Sequence, residues 1–363
     1  MKSISIHWFR QDLRLSDNPA LSDAAENGKI LPIYILDDVN SGEHKIGAAS
    51  RWWLHHSLCE LNKSLLGKLV VFSGDPMELL PQLANELSAN LVTWNRAYEP
   101  WRIKRDTKVK ASLEREGITV RSFNGSVLWE PWEVRKNDGT PYRVFTPFYR
   151  RGCLSADPPR RPNKITDSLD LYEAKNLKNG YDSIAKLGLL SKNNWINGLE
   201  NTWKVGETAA KKQLLNFLDN GLNGYKDGRN FPAKCNVSRL SPHLHWGEIS
   251  PNLVWHAVKD RLSSSLVGDD DCDHFLTELG WREFSVSLLY TFPELPRKNL
   301  QPRFDNFSWK TNEVLLKAWK SGQTGYPIVD AGMRELRKTG YMHNRLRMIV
   351  GSFLVKNLRL HWH

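Results

Sequence analysis

Cysteine is scarce in this chain. Four occur in 363 residues, Cys59, Cys153, Cys235 and Cys272, and none forms a C-x-x-C pair. Neither a zinc cluster nor a disulfide framework is supported, so no metal site is expected. Reduced thiols in a cytoplasmic setting fit the pattern. Long apolar runs are also missing. No segment approaches the ~20 residues needed to span a bilayer, and the start, MKSISIHWFR, lacks the apolar stretch of a signal peptide. No membrane partner is expected. No G-x-G-x-x-G follows a strand-like segment, which removes the main support for a simple dehydrogenase. Neither an internal repeat nor a low-complexity tract is visible.

What is present points elsewhere. One core rarely grows past roughly 250–300 residues, so a chain of this length implies two domains. Lys plus Arg number 51 against 40 Asp plus Glu, a net charge of +11. The excess suits a polyanionic partner such as nucleic acid, and it also suits plain solubility. Fifteen tryptophans are present. Most should pack in the core, leaving some for stacking or redox work.

SISIHWF, ILPIYIL, KLVVFSG, NLVTWN and ITVRSF read as strands. Helical patterns lie between them, over 48–66, after the Asp75-Pro76 cap and over 102–116. Alternating β and α elements imply a parallel, Rossmann-like sheet with helices on both faces. This α/β domain is assigned to residues 1–130. Residues 131–200, with the proline-rich SADPPRRPNK, read as an extended, exposed connection carrying one or two short helices. Residues 201–363 read as an all-α domain.

Three helical segments carry unusual polar groups. In YMHNRLRMIVGSF, Asn344, Arg347 and Met348 stand at i, i+3 and i+4, so they share one helix face. The following MIVGSFLVKNL is apolar nearly all round, the mark of a buried helix. In FLTELGWREFS, Phe275, Glu278, Arg282 and Ser285 share a face, with Trp281 one turn from Glu278. That spacing also suits an ordinary amphipathic helix with Glu278 and Arg282 as a solvated pair. Buried polar groups need partners, however, and a polar ligand between the two helices would satisfy both. In SRLSPHLHWGEISP, Ser238 and Ser241 flank Arg239 and Leu240 before Pro242. Hydroxyls and free N–H groups near a helix start suit a diphosphate, although Ser-x-x-Ser-Pro is also a common cap.

The segments WFRQDLRLSDNPAL, GDPMELLPQL, RVFTPFYR, SRLSPHLHWGEISP, ELGWREF, TGYPIVDAGMRELRKTGYMHNRLRM and SFLVKNL resemble the photolyase/cryptochrome family, in order and at family-like spacing. The resemblance is weakest over 155–200. It implies an α/β antenna domain, a helical domain binding FAD, and UV-damaged DNA as the partner of a monomeric repair enzyme. It also implies that Tyr225, Ser238, Leu240 and Ser241 contact the FAD phosphates and ribityl chain, that Arg282, Asn344 and Arg347 contact the flavin side, and that Val237, Arg239, Phe275 and Glu278 also bind the cofactor. Family members often carry Thr where Val237 stands, so one hydroxyl is missing here. Glu278, Trp281 and Met348 resemble the catalytic residues that receive the flipped lesion. Arg229, Trp281, Asn344 and Arg345 are expected at the DNA.

Met348 ends NRLRM as in repair enzymes for cyclobutane dimers, whereas the (6-4) enzymes place a histidine pair in this segment. The alternatives are a blue-light photoreceptor without repair and an inactive, truncated DNA-binding remnant. Trp309 and Trp362 resemble two members of an electron-transfer chain to the flavin. The family's antenna chromophore is methenyltetrahydrofolate or an 8-hydroxy-deazaflavin. WNRAYEPWRIKRD departs from the folate pattern at Trp101 and Arg102, so the antenna identity stays open. Family members continue past NLRLHWH, which reads as a C-terminal truncation. On that reading Phe353, Leu354 and Leu358 would lose covering helices.

Overall fold

The computed structural model describes residues 3–163, 169–174, 177–181, 183–190, 196–264 and 266–363. Part of the connection expected over 131–200 lies outside these residues. The first domain is a parallel five-stranded sheet: β1 (Ile4–Phe9), β2 (Lys29–Leu36), β3 (Val70–Ser73), β4 (Leu91–Asn95) and β5 (Thr119–Phe123). The spatial order is β3-β2-β1-β4-β5. Ile6 pairs with Leu31 on one side and Val92 on the other. β1, β2 and β4 are buried almost throughout, which explains why they read as continuous apolar runs rather than alternating ones.

Helices α1 (Pro19–Glu26), α2 (Ala48–Ser64), α3 (Pro76–Leu87) and α4 (Pro100–Arg115) cover the sheet. Asp75 caps α3 by accepting from Met77 N at 2.9 Å, with Pro76 in the first turn. Asn18 caps α1 in the same way through Leu21 N, 3.1 Å. Strand order reverses at β1, so the crevice beyond the carboxyl ends of β1 and β4 is the expected ligand position in such a sheet.

The second domain is helical: α5 (Glu207–Asn220), α6 (Ser241–Trp246), α7 (Pro251–Ser263), α8 (Asp269–Thr291), α9 (Glu313–Ser321), α10 (Pro327–Thr339) and α11 (Asn344–Ser352). α8 is the long central element, and Asp269, Asp270 and Asp271 open it where negative charge favours a helix dipole.

The connection is more structural than its composition suggests. Val134, Phe145, Phe148, Tyr149 and Cys153 belong to the helical domain's core, as do Leu128 and Trp129 just ahead of the connection. Further on, Leu171 pairs with Ile30 and Tyr181 with Val71, and Ile184 and Leu187 pack with α2. Among the described residues, 135–140 and the stretch at Asp157 and Pro158 keep the expected exposure.

Buried polar contacts bolt the domains together. Arg14, 1% exposed, donates to the backbone carbonyls of Ser16, Asp17, Gly125 and Gly247. Glu248 accepts from Trp53 Nε1 at 3.0 Å and pairs with His243 at 2.5 Å. Gly247 sits at φ +67°, and a Cβ there would meet Gln11 O at 2.0 Å. Only glycine permits this approach.

α11 corrects one expectation. It buries only Leu346 and Val350, while Met348 and Ile349 are 58% and 40% exposed. Phe353, expected to lie uncovered, is buried with Val329, Met333 and Met342. α9 buries none of its residues, and Val314 is 77% exposed.

Candidate functional site

A cavity of about 660 Å³ lies between α8, α11, the segment leading into α6 and the carboxyl ends of β1 and β4. That size is typical of small-molecule and cofactor sites, about 300–1,000 Å³. Every residue expected to touch the cofactor lines it: Tyr225, Val237, Ser238, Arg239, Leu240, Ser241, Phe275, Glu278, Arg282, Asn344 and Arg347. These come from four stretches of sequence up to 122 residues apart, from Tyr225 to Arg347.

Local packing explains the meeting. Phe275 is 3% exposed and holds Tyr225 edge-on at 5.4 Å and Phe217 at 4.6 Å. Gly228 allows Asn236 to close on the Tyr225 turn, since a Cβ would meet Asn236 Oδ1 at 2.3 Å. Arg239 adopts φ +52°, a left-handed conformation costing about 1–2 kcal/mol for a residue with a Cβ. Its guanidinium lies over the rings of Tyr341 and Trp203, 4.5 and 4.8 Å from their centroids, which offsets that strain. The turn it makes brings Ser238 and Ser241 to the wall. α6 begins without a side-chain cap, so its first N–H groups have no side-chain partner.

The i,i+4 pairing of Glu278 with Arg282 that the spacing also allowed does not form. Glu278 pairs instead with Arg229, and Arg282 donates to Glu283 at 3.0 Å. Arg229, expected at the DNA, lines the cavity. It is 8% exposed, lies over the Tyr225 ring at 5.3 Å and is held by a carboxylate. Arg345, also expected at the DNA, is partly exposed and donates to Asn230 Oδ1 at 2.9 Å and to Met348 Sδ at 3.5 Å.

Trp281 and Met348 do not line the cavity. Both are exposed beside it, at 45% and 58%. One face of Trp281 stacks on Phe145, centroids 3.6 Å apart and 10° from parallel. Phe145 in turn runs parallel to Tyr149, and Gly280 makes room for that ring. The result is a braced aromatic platform. Trp309 and Trp362 are also outside the cavity lining. His361 joins them, edge-on to Trp309 at 4.6 Å and stacked on Trp362 at 5.5 Å.

Sequence reasoning missed the α/β side of the cavity. Gln11, Arg96, Tyr98 and Glu99 line it from the ends of β1 and β4. The signal was the strand order, which marks that crevice as a ligand position. Glu283 was missed as well, because a carboxylate beside an arginine reads as surface.

The donor set fits FAD. Phe275, Leu279, Val286 and Leu289 offer apolar walls for rings, and Ser238 and Ser241 offer hydroxyls for phosphate oxygens. Arg347 faces the cavity with its Nε bonded to Met342 O at 2.9 Å and, among the described residues, no ion-pair partner.

Comparison with known proteins agrees. Residues 5–164 match the DNA photolyase family, and residues 275–363 match the FAD binding domain of DNA photolyase. The deoxyribodipyrimidine photo-lyase of Agrobacterium fabrum is 46% identical over 98% of this chain and 74% of its own length. Cryptochrome-1 of Arabidopsis thaliana is 36% identical over 99% of this chain and 54% of its own length. The crystal structure of a class III photolyase from Agrobacterium tumefaciens superposes with a TM-score of 0.92 at 44% identity, covering 100% of this chain and 74% of that one. With the same two domains in the same order around a cavity fitted for FAD, the chain belongs to the DNA photolyase family.

Proposed function

We propose that this protein uses light to split cyclobutane pyrimidine dimers in UV-damaged DNA. The observation that carries the reading is the rim of the cavity. There the braced Trp281 ring, the Glu278 carboxyl and the Met348 thioether stand beside the walls fitted for FAD. Reduced FAD, bound there, supplies the light-absorbing electron donor.

The chain's own residues do the rest. A pyrimidine dimer extruded from the duplex stacks on the free face of Trp281, whose other face Phe145 already fixes. Stacking on a ring held in place costs little entropy, so binding favours a flipped, unstacked base. Met348 adds a polarisable contact at the rim. Glu278, paired with Arg229, holds that guanidinium at the wall, where its N–H groups favour a pyrimidine carbonyl that gains negative charge. Arg229 orients the Glu278 side chain at the wall. Arg345 reaches the adjacent DNA phosphates.

The test is to incubate FAD-loaded, chemically reduced protein with an irradiated thymine oligonucleotide, in light and in darkness. Dimer loss only in the light is the expected result. Loss in both conditions would overturn the reading. No loss, with FAD bound and photoreducible, would favour a photoreceptor.

A further inference from the structure

We infer that Glu283 is a positioning residue for the cofactor cavity: it holds the Arg282 guanidinium at the wall and fastens that wall to the chain crossing between the domains. This deepens the FAD reading of the cavity and rests on it. Arg282 lines the cavity, whereas Glu283 stands behind it. The Glu283 side chain is 1% exposed. Its Oε2 accepts from Leu128 N at 2.9 Å and from Trp129 N at 3.5 Å, and its Oε1 accepts from Arg282 Nη1 at 3.0 Å.

Adjacent helix residues do not ordinarily face each other. Arg282 would reach Glu278 one turn back with less effort, but Arg229 already occupies Glu278. Two separate carboxylates therefore serve two arginines on the same wall, and each arginine has a fixed place. The Glu283 pairing is also anchored outside α8. The amides it binds belong to the end of the α/β domain's chain, just before the connection, and Leu128 and Trp129 are buried in the helical core. A charge this deep is retained only when such partners compensate it.

Burial pushes the Glu283 carboxyl up to about 7, against the opposing pull of Arg282 and the two amides. The groups that face it are the Arg282 guanidinium on α8, the Leu128 and Trp129 N–H groups, and the Cys153 thiol, which burial and Glu283 both push upward. Above that range the carboxylate holds Arg282. Below it the neutral acid keeps weak bonds to the amides and releases the guanidinium, which is then free to compete with Arg229 for Glu278. Cofactor affinity should therefore fall as pH drops through about 7.

The experiment measures FAD affinity by fluorescence quenching on either side of that pH, for wild type, Glu283→Gln and Arg282→Gln. Wild type should bind roughly tenfold more weakly on the acid side, the size of one charge-assisted hydrogen bond. Glu283→Gln should show the weak affinity at both pH values. Arg282→Gln leaves Glu283 and its amide bonds in place, so it keeps the fold testable even where the first variant fails to fold, and it too should lose the pH dependence. A wild-type affinity that does not change with pH would overturn the proposal, as would a wild-type profile in either variant. Wild-type protein that binds no FAD at either pH would overturn the FAD reading, and this proposal with it.

Discussion

Trp281 shows how much one residue depends on its support. Its outer face is exposed because its inner face is occupied by Phe145. Trp281→Ala should weaken affinity for dimer-containing DNA by about 1–3 kcal/mol, the usual cost of losing one base–aromatic stack. Affinity for undamaged duplex should change little, and a binding titration against both DNAs separates the two. Glu278→Gln should lower dimer splitting per absorbed photon roughly tenfold, about 1.4 kcal/mol, with damaged-DNA affinity nearly unchanged. Repair at the wild-type quantum yield would make Glu278 structural. Glu283 makes a separate, stability-based prediction. Its carboxyl is raised from 4.5 to about 7 in the folded protein, so the folded state binds the extra proton. Its contribution is fully present below about pH 4.5 and is lost as pH rises through about 7. Thermal melts should show that loss in wild type and a flatter profile in Glu283→Gln.

At the scale of elements, α6 and the turn after it join the two domains. Gly247 allows the backbone to approach Gln11, and a side chain there has no space. Gly247→Ala should destabilise the protein by about 1–3 kcal/mol, since both the left-handed backbone and the overlap count against it. A calorimetric melt checks this, and an unchanged midpoint would show that the interface yields easily. Strands and α/β helices were legible in the sequence because burial makes β1, β2 and β4 plain apolar runs and because Asp75-Pro76 is a strong cap. The walls of the cavity were legible from motif positions. The connection was not, because its contacts pair Leu171 with Ile30 and Tyr181 with Val71 across long sequence separations. The partners of the arginines were hidden for the same reason. Glu278 lies 49 residues from Arg229, and no local pattern reveals that Arg229 rather than Arg282 claims it.

The molecule as a whole carries a net charge of +11, which suits a DNA partner. Binding should weaken steeply with salt as counterions are released. Arg345 sits partly exposed beside Met348, so Arg345→Ala should reduce the slope of log affinity against log salt by about 1. An unchanged slope would remove Arg345 from the interface. Among the described residues no helix is long and apolar enough to cross a membrane. The chain covers 74% of its Agrobacterium fabrum relative and 54% of Arabidopsis Cryptochrome-1, so this protein's own activity has to be measured on the 363-residue chain itself. The most direct measurement follows the absorbance that returns when thymine dimers in an oligonucleotide are split by the FAD-loaded, reduced protein under blue light. Recovery under light, none in darkness and a marked drop in Glu278→Gln are expected. Light-independent recovery, or none from protein that holds reduced FAD and binds the damaged strand, would overturn light-driven dimer repair at this site.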